Sequence, residues 1–305
     1  MIHEVLHDAH LYHCVVSDDE RYLACVLGKK LRFYDLKERR IIGDEKVGFV
    51  YGICLSPDGE KLFVINDKVV CCYIHGESIT KLYEKRLPTM EFAPWAVGAE
   101  RFWFFTAVDF RYTLMSINIA GGRFDTVFEF EKDERPRSLS FSDGKMHVLA
   151  CNGVDVTFLA VSEATGQTEI RKMHWPESEL DFMSPIYSSK NNILLKGCHV
   201  HIAYRAPFFA VHGVKITPNG TELLYSTDVG TVKPHCFFGE NDEYALLCGR
   251  VTIKVISVAT GEAEDADGYY ISHAYSSCRG KYLFVFGDTT GALLSASEDN
   301  ISSLI

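Results

Sequence analysis

Short apolar runs recur along the whole chain, and turn-forming residues separate each run from the next. The stretch ICLSPDGEKLFVINDKVVCCYIHGES, residues 53–78, contains three such runs. The alternation of apolar and polar positions in segments such as KLRFYDL and VDVTFLAV is typical of β-strands. Helical signals are weak, because no long run combines a 3.6-residue period with caps. The pattern therefore predicts an all-β fold.

The same arrangement of runs and turns returns at a regular spacing. Each copy is marked by a small or polar residue that ends an apolar run and opens a turn, namely Ser17, Ser56, Gly98, Ser142, Ser188, Gly239 and Ser277. Successive marks are 39, 42, 44, 46, 51 and 38 residues apart. A period of about 40 residues is the length of one propeller blade. The repeat predicts one domain over residues 1–305, a seven-bladed β-propeller of four-stranded antiparallel blades.

Residues one and three positions before each mark are mostly apolar or small, as at Ile53 and Leu55. Because alternate residues of a strand share a face, we expect these positions to pack against the neighbouring blade. Such packing would make the repeat a set of stacked sheets around a common axis.

The fifth copy is longer than the others, and two interpretations of residues 207–232 compete. They form a long outer hairpin of the fifth blade or a shrunken eighth blade. Only 22 residues separate Thr217 from Gly239, too few for a complete blade, which favours seven. Residues 2–9 are expected to close the ring as the last strand of the seventh blade, with the tail NISSLI as the alternative.

The segments SPDGEKLFVIN, FYDLKER and SVATGE resemble the repeats of WD-repeat and YVTN-type β-propellers. The resemblance covers nearly the whole chain. The Trp-Asp pair of true WD repeats is absent from the sequence, and Tyr34-Asp35 is the nearest match. The resemblance implies a propeller fold, and propellers carry many different functions.

Charge and cysteine content narrow the function classes. A formal net charge of −10 disfavours binding to nucleic acids through their phosphates. Most of the ten cysteines lie within apolar runs and no CxxC pair occurs, so we expect buried, reduced thiols. The N-terminus lacks the apolar core of a signal peptide, and no run reaches about 18 apolar residues. We therefore expect a cytoplasmic monomer without membrane segments or cofactors.

In a propeller, the starts of the innermost strands and the loops between second and third strands meet at one face around the channel. These positions supply the predicted binding residues Tyr12, Tyr51, Asp67, Phe110, Arg111, Tyr112 and Arg137. The segment DFRYT, residues 109–113, is interpreted as a bulky loop, and aromatic and arginine side chains are typical of binding hot spots. We therefore expect an interaction scaffold that binds a protein or peptide on this channel face.

Three histidines support an alternative. His13, His235 and His273 each lie four residues before a mark, in blades that are neighbours around the predicted ring. Imidazoles suit Zn²⁺ or Fe²⁺ and general-base catalysis. The alternative is a propeller enzyme, a lyase or lactonase-like hydrolase that uses these histidines with or without a bound metal. These histidines could equally line a wet channel and bond to backbone or water, and no established catalytic or phosphate-binding motif occurs in the sequence.

Overall fold

The structure is a computed structural model in which the described chain consists of strands and their connections. This confirms the all-β prediction. Among the described residues, no helix is long and apolar enough to cross a membrane. The structure describes residues 11–295 apart from 18, 20, 39, 57, 67–68, 76–77, 87–94, 122, 154, 175–182, 189, 201–207, 218–219, 231–234, 239–242, 249–252, 267–272, 277–281 and 287–290.

The described strands form antiparallel sheets, numbered here in chain order, in which each strand pairs with the next along the chain. The first three sheets have four strands each. Sheet 1 contains β1 (Leu11–Val16), β2 (Tyr22–Leu27), β3 (Lys30–Asp35) and β4 (Arg40–Lys46); sheet 2 contains β5 (Gly52–Leu55), β6 (Lys61–Ile65), β7 (Val69–His75) and β8 (Ile79–Arg86); sheet 3 contains β9 (Ala96–Val97), β10 (Arg101–Val108), β11 (Arg111–Asn118) and β12 (Asp125–Glu129).

Sheets 4 to 6 also have four strands, and sheet 7 has three strands among the described residues. Sheet 4 contains β13 (Arg135–Ser142), β14 (Lys145–Asn152), β15 (Asp155–Ser162) and β16 (Thr168–His174); sheet 5 contains β17 (Met183–Ser188), β18 (Ile193–Val200), β19 (Phe208–Thr217) and β20 (Gly220–Gly230); sheet 6 contains β21 (His235–Phe238), β22 (Tyr244–Cys248), β23 (Ile253–Ser257) and β24 (Ala263–Ala266); sheet 7 contains β25 (His273–Ser276), β26 (Tyr282–Phe286) and β27 (Gly291–Ser295). The long segment of the fifth copy thus lies in the β19–β20 hairpin.

The first strands of the sheets lie innermost and contact one another in sequence. β1 contacts β5, β5 contacts β9, and the series continues through β13 and β17 to β21. β1 also contacts β25 and β26, so sheet 7 lies beside sheet 1. Because neighbouring strands are antiparallel, the second-to-third-strand turns and the connections between sheets lie at the end where the innermost strands begin. This end is the channel face, and the other end is the opposite face.

The core lies between adjacent sheets, and the central strands are buried on both sides. On β10, Phe102 and Phe104 pack against sheet 2, whereas Trp103 and Phe105 pack against sheet 4. The Phe102 ring stacks on Phe63 of sheet 2 with centroids 4.9 Å apart. Successive residues of a strand point to opposite faces, so only an unbroken apolar run covers both. Each fully buried ring of this kind contributes roughly 1.5–3 kcal/mol to stability.

The predicted packing of the innermost strands is confirmed. Ile53 and Leu55 belong to the cluster between sheets 1 and 2, and Leu139 and Phe141 pack against the cluster between sheets 3 and 4. Each pair faces the preceding sheet. The residues before the turn marks therefore hold consecutive sheets together.

The cysteines with described side chains are buried free thiols, as expected for Cys14, Cys25, Cys54, Cys71, Cys72 and Cys151. The adjacent Cys71 and Cys72 lie on opposite faces of β7, one in the cluster with sheet 1 and the other in the cluster with sheet 3. Burial raises the pKa of each of these two thiols to about 11. Both are therefore protonated at neutral pH.

Serine recurs at the turn marks because its hydroxyl builds the turn. Ser17 Oγ accepts a hydrogen bond from the backbone N–H of Tyr22 at 2.9 Å and donates one to Asp19. Ser56 accepts from Lys61 N–H at 2.9 Å in the same way. The side chain thus fixes where β1 and β5 end, and this local bond explains why serine marks these two copies in the sequence.

Glu163, which follows β15, fastens sheet 4 to sheet 3 at the opposite face. Its carboxylate accepts hydrogen bonds from the backbone N–H groups of Ala99 and Arg101, each at 2.9 Å, and from Trp103 Nε1 at 3.3 Å. A Cβ at Gly98 would lie only 2.2 Å from the Glu163 Oε1 atom, so the approach depends on glycine. Hydrogen bonds to a charged acceptor are stronger than neutral ones.

His147 is a buried titratable group between sheets 4 and 5. Its ring is 5% exposed and lies against Phe158 and Tyr187, with centroids 5.8 and 5.0 Å away. Burial lowers the pKa of His147 from its ordinary value of 6.5 to about 4. The imidazole is therefore neutral at physiological pH and acts as part of the core.

This burial predicts a pH dependence of stability. Between pH 6.5 and about 4 the unfolded chain binds a proton at His147 that the folded chain does not, so the contribution is complete above 6.5 and is lost as pH falls. We expect the wild type to lose about 2 kcal/mol more than His147→Phe between about pH 7.5 and about pH 5, measured by urea unfolding. The carboxylates common to both proteins cancel in this difference. Identical pH profiles would show that His147 does not couple folding to protonation.

Candidate interaction surface

The turn between β10 and β11 has two residues, both in the left-handed region. Val108 pairs with Arg111, and the intervening Asp109 and Phe110 have φ values of 51° and 60°. Two positive φ values are typical of a type I′ turn, in which glycine and asparagine are preferred. The corresponding turn of sheet 1 uses Gly28 with φ of 63°. A bulky residue such as Phe at this φ is an outlier that costs of order 1 kcal/mol or more.

The interpretation of residues 109–113 as a bulky loop is wrong. Arg111 and Tyr112 belong to β11, and only Asp109 and Phe110 form the turn. Tyr112 is 6% exposed and packs in the cluster between sheets 3 and 4. Tyr112 therefore stabilises the core and does not face a partner, because strand pairing continues up to Arg111 and turns its ring inward.

Phe110 is the centre of an exposed group at the channel face. Its side chain is 50% exposed, and the neighbouring Val108 is 59% exposed. The Arg135 guanidinium lies 6.0 Å from the Phe110 ring centroid, within range of a cation–π contact. The Phe110 carbonyl accepts a hydrogen bond from Asp133 N–H at 3.0 Å, which ties the turn to the connection before β13.

A second aromatic group lies at the channel end of sheet 2. Phe49 is 71% exposed, and its ring meets that of Tyr51 edge-to-face at 5.4 Å. Trp95 covers Gly52, where an added Cβ would lie 1.8 Å from the indole ring. Tyr51 and Trp95 both pack against the core between sheets 2 and 3. The sequence singles out Tyr51, which lies five residues before its mark, but not Phe49, which lies two residues further upstream in the connection to β5.

Three arginines border these residues. Arg111, Arg135 and Arg137 are exposed, and none makes an ion pair with a carboxylate within the described part of the chain. Arg137 Nε lies 3.2 Å from Cys151 Sγ. The channel-face patch is defined by Phe49, Tyr51, Val108, Phe110, Arg111, Arg135 and Arg137.

Two predicted binding residues remain predictions. Asp67 lies outside the described residues, and Tyr12 belongs to β1 without a described side chain. Of the predicted set, the structure therefore places Tyr51, Phe110, Arg111 and Arg137 at the channel face.

The histidine alternative is only partly visible. His13 Nε2 lies 3.1 Å from the carbonyl oxygen of Val50; because a carbonyl only accepts, this nitrogen carries a hydrogen and donates it. The bond connects sheet 1 to the chain entering sheet 2. His235 and His273 are the first residues of β21 and β25, and their side chains are not among those that the structure describes. Among described residues, no three His, Cys, Asp or Glu side chains form a metal-binding group.

Comparison with solved structures identifies the architecture. A chain from the crystal structure of the mitotic checkpoint complex superposes with a TM-score of 0.67 at 10% identity, over 95% of this chain and 88% of that one. The WD40 domain of SCAP from fission yeast superposes with a TM-score of 0.57 at 13% identity, over 91% and 77%. The chain has a WD40-like β-propeller fold. No protein-family model and no curated protein sequence matches it.

The fold alone does not assign an activity to this propeller. An oligogalacturonate lyase from Vibrio parahaemolyticus superposes with a TM-score of 0.58 at 10% identity, over 94% of this propeller and 89% of the lyase. Binding domains and an enzyme thus share the architecture. The surface residues of this propeller must supply the functional argument.

The strained turn predicts different stabilities for two substitutions of Phe110. Phe110→Gly and Phe110→Ala both remove the exposed ring, but only glycine relieves the positive φ. We expect Phe110→Gly to be more stable than Phe110→Ala by about 1 kcal/mol in urea unfolding. Because both lose the same contact with Arg135, their difference isolates the backbone conformation. Equal stabilities would show that the turn carries no strain.

Proposed function

We propose that this propeller is an interaction scaffold that binds a protein or peptide partner through the channel-face patch. The single observation that carries the proposal is Phe110, a half-exposed aromatic side chain held in a turn that favours glycine. Strain retained at an exposed position is a reason to infer a function there. A residue chosen for folding alone would be Gly or Asn.

The surroundings of Phe110 support the same proposal. The other exposed large apolar side chains lie singly or in pairs on outermost strands, at Ile41, Leu82, Ile170, Leu223 and Leu224. In the patch, Phe49 lies in a connection, Phe110 in a turn and Val108 at the end of β10, all at one end of neighbouring sheets. Aromatic and arginine side chains dominate the binding energy of protein interfaces. Buried, protonated thiols support a cytoplasmic location, and we propose that the chain acts there as a monomer.

We also propose that the ring has seven blades and that residues 2–9 complete the last one. Cys14 and Cys25 support this closure, because they are paired across β1 and β2 on the face turned towards sheet 7. They are 3% and 0% exposed, as expected if sheet 7 covers them. Sheet 7 has three described strands, and one from the N-terminus would give it four. Closure of this kind removes a free sheet edge.

Removing residues 1–9 should therefore open the seam between sheets 7 and 1. We expect iodoacetamide to alkylate Cys14 and Cys25 roughly tenfold or more faster in the truncated chain, measured by peptide mass spectrometry. Cys54, buried between sheets 2 and 3, is the internal control for global unfolding. Deleting residues 300–305 is the matched truncation. Unchanged labelling of Cys14 and Cys25 without residues 1–9, or faster labelling without the tail, would contradict this closure.

Site-specific photo-cross-linking tests the binding surface. With benzoylphenylalanine at Phe110, we expect one or a few discrete adducts in cells of the source organism, identified by mass spectrometry. The substitute keeps the phenyl ring and the apolar character of the side chain and adds a benzoyl group to it. Because Phe49 lies at the same end of the neighbouring sheet 2, we expect the same adducts when the photo-reactive residue replaces Phe49.

Ile170 provides the matched control position. Its exposed fraction of 46% is similar to that of Phe110, but it lies on the outermost strand of sheet 4. The expected adducts are absent or different when the photo-reactive residue is at Ile170. Adducts that are identical at all three positions, or none at Phe110 and Phe49, would refute binding through the patch.

A further inference from the structure

We infer that the partner segment is acidic: the arginines of the channel-face patch bind carboxylates that flank an apolar side chain seated on Phe110 and Val108. This inference rests on the proposed function, since it names the chemistry of the partner at that same surface. Only charges at this face that are not already engaged within the chain are available to a partner.

Several arginines elsewhere have an acidic partner. Arg21 pairs with Asp35 at 3.3 Å, Arg32 with Asp44 at 2.7 Å, and Arg101 with Asp125 at 2.7 Å. These pairs lie away from the patch, each within one sheet, and the Arg101–Asp125 pair spans β11 to connect β10 with β12. A guanidinium that forms such a pair has its planar donors occupied and is less able to recognise a partner.

The patch arginines differ from these. Arg111 follows the strained turn, and Arg135 and Arg137 begin the innermost strand of sheet 4. Within the described part of the chain none of the three has a carboxylate at ion-pair distance. The Arg135 guanidinium carbon lies 6.0 Å from the Phe110 ring centroid, and the edge of a guanidinium in such a contact can donate two parallel hydrogen bonds to a carboxylate.

The nearby carboxylates are partly committed to other contacts. Glu131 pairs with Lys172, and buried Glu134 accepts hydrogen bonds from the Thr157 hydroxyl and from the Glu131 N–H. Exposed Asp109 and Asp133 remain at this face, both in turn positions with positive φ. Three exposed arginines without a carboxylate partner among the described residues therefore lie at the same face as these two carboxylates, on a chain whose net charge is −10.

The apolar side chains define where the acidic groups must lie. Val108 and Arg111 are cross-strand partners and share the face of sheet 3 that is turned towards sheet 2. Phe110 stands between them in sequence and contacts Arg135 of sheet 4. A bound segment that places an apolar residue on Phe110 would therefore have arginines on both sides. An extended peptide with Asp or Glu on each side of a Leu or Phe meets this requirement.

Selection from a random peptide library displayed on phage tests the inference even though the partner is unidentified. We expect peptides enriched on the wild-type propeller to carry more Asp and Glu than the input library, around an apolar residue. Arg111→Gln/Arg135→Gln/Arg137→Gln should lose this acidic excess. A selected peptide, resynthesised, should bind the triple variant roughly tenfold or more weakly and should bind wild type less tightly as salt rises.

Arg123→Gln/Arg171→Gln/Lys215→Gln is the matched control, because it removes three exposed positive charges away from the patch. It should select the same acidic peptides as the wild type. Equal thermal midpoints of the two triple variants verify that both are folded. Neutral or basic peptides, no enrichment on wild type, or an acidic excess that survives in the patch variant would overturn the inference. Cross-linking at Phe110 that succeeds alongside any of these results would leave the proposed function intact and refute only the acidic partner.

Discussion

The contact between neighbouring sheets is the interaction on which the rest of the structure depends. A strand such as β10 has no solvent-facing side, because Phe102 and Phe104 cover sheet 2 while Trp103 and Phe105 cover sheet 4. Each sheet is therefore stable only between two others, and burial repeats around the molecule as it does in other repeat proteins. This requirement selects unbroken apolar runs in the central strands. It leaves the outermost strands and the ends of the sheets free to vary.

The fold could be predicted because the constraint is periodic. Ser17 and Ser56 mark strand ends through local hydrogen bonds, and Ile53 and Leu55 share a face because of the two-residue period. The site was less predictable. Tyr112 looked like a loop residue, since only the backbone conformation at Phe110 shows that the turn has two residues. Glu163 alone shows no pattern that marks it as a structural residue. A comparison of the repeats would have singled it out, because the matching position of the SVATGE segment is Val258, which is buried.

The side chains of the channel face differ from those of the core in that they are exposed and are not explained by packing. In the core, side chains are chosen so that every strand meets its neighbour, and residues such as His147 remain neutral to fit. At the channel face, Phe110 and Phe49 expose rings that folding does not require, and Arg111 has no described carboxylate to neutralise it. Consistency between local preference and global fold is the rule in proteins, so departures from it indicate positions under a different demand.

Glu163 has a consequence for the surface at the other end of the molecule. Its carboxylate fastens sheet 4 to the first turn of sheet 3. Sheet 3 carries Arg111, and sheet 4 carries Arg135. Two sheets joined at one end cannot rotate freely about their shared core. The spacing of the backbone positions that carry these arginines is thereby largely fixed. For the proposed complex, a stiff scaffold would reduce the conformational entropy lost on binding.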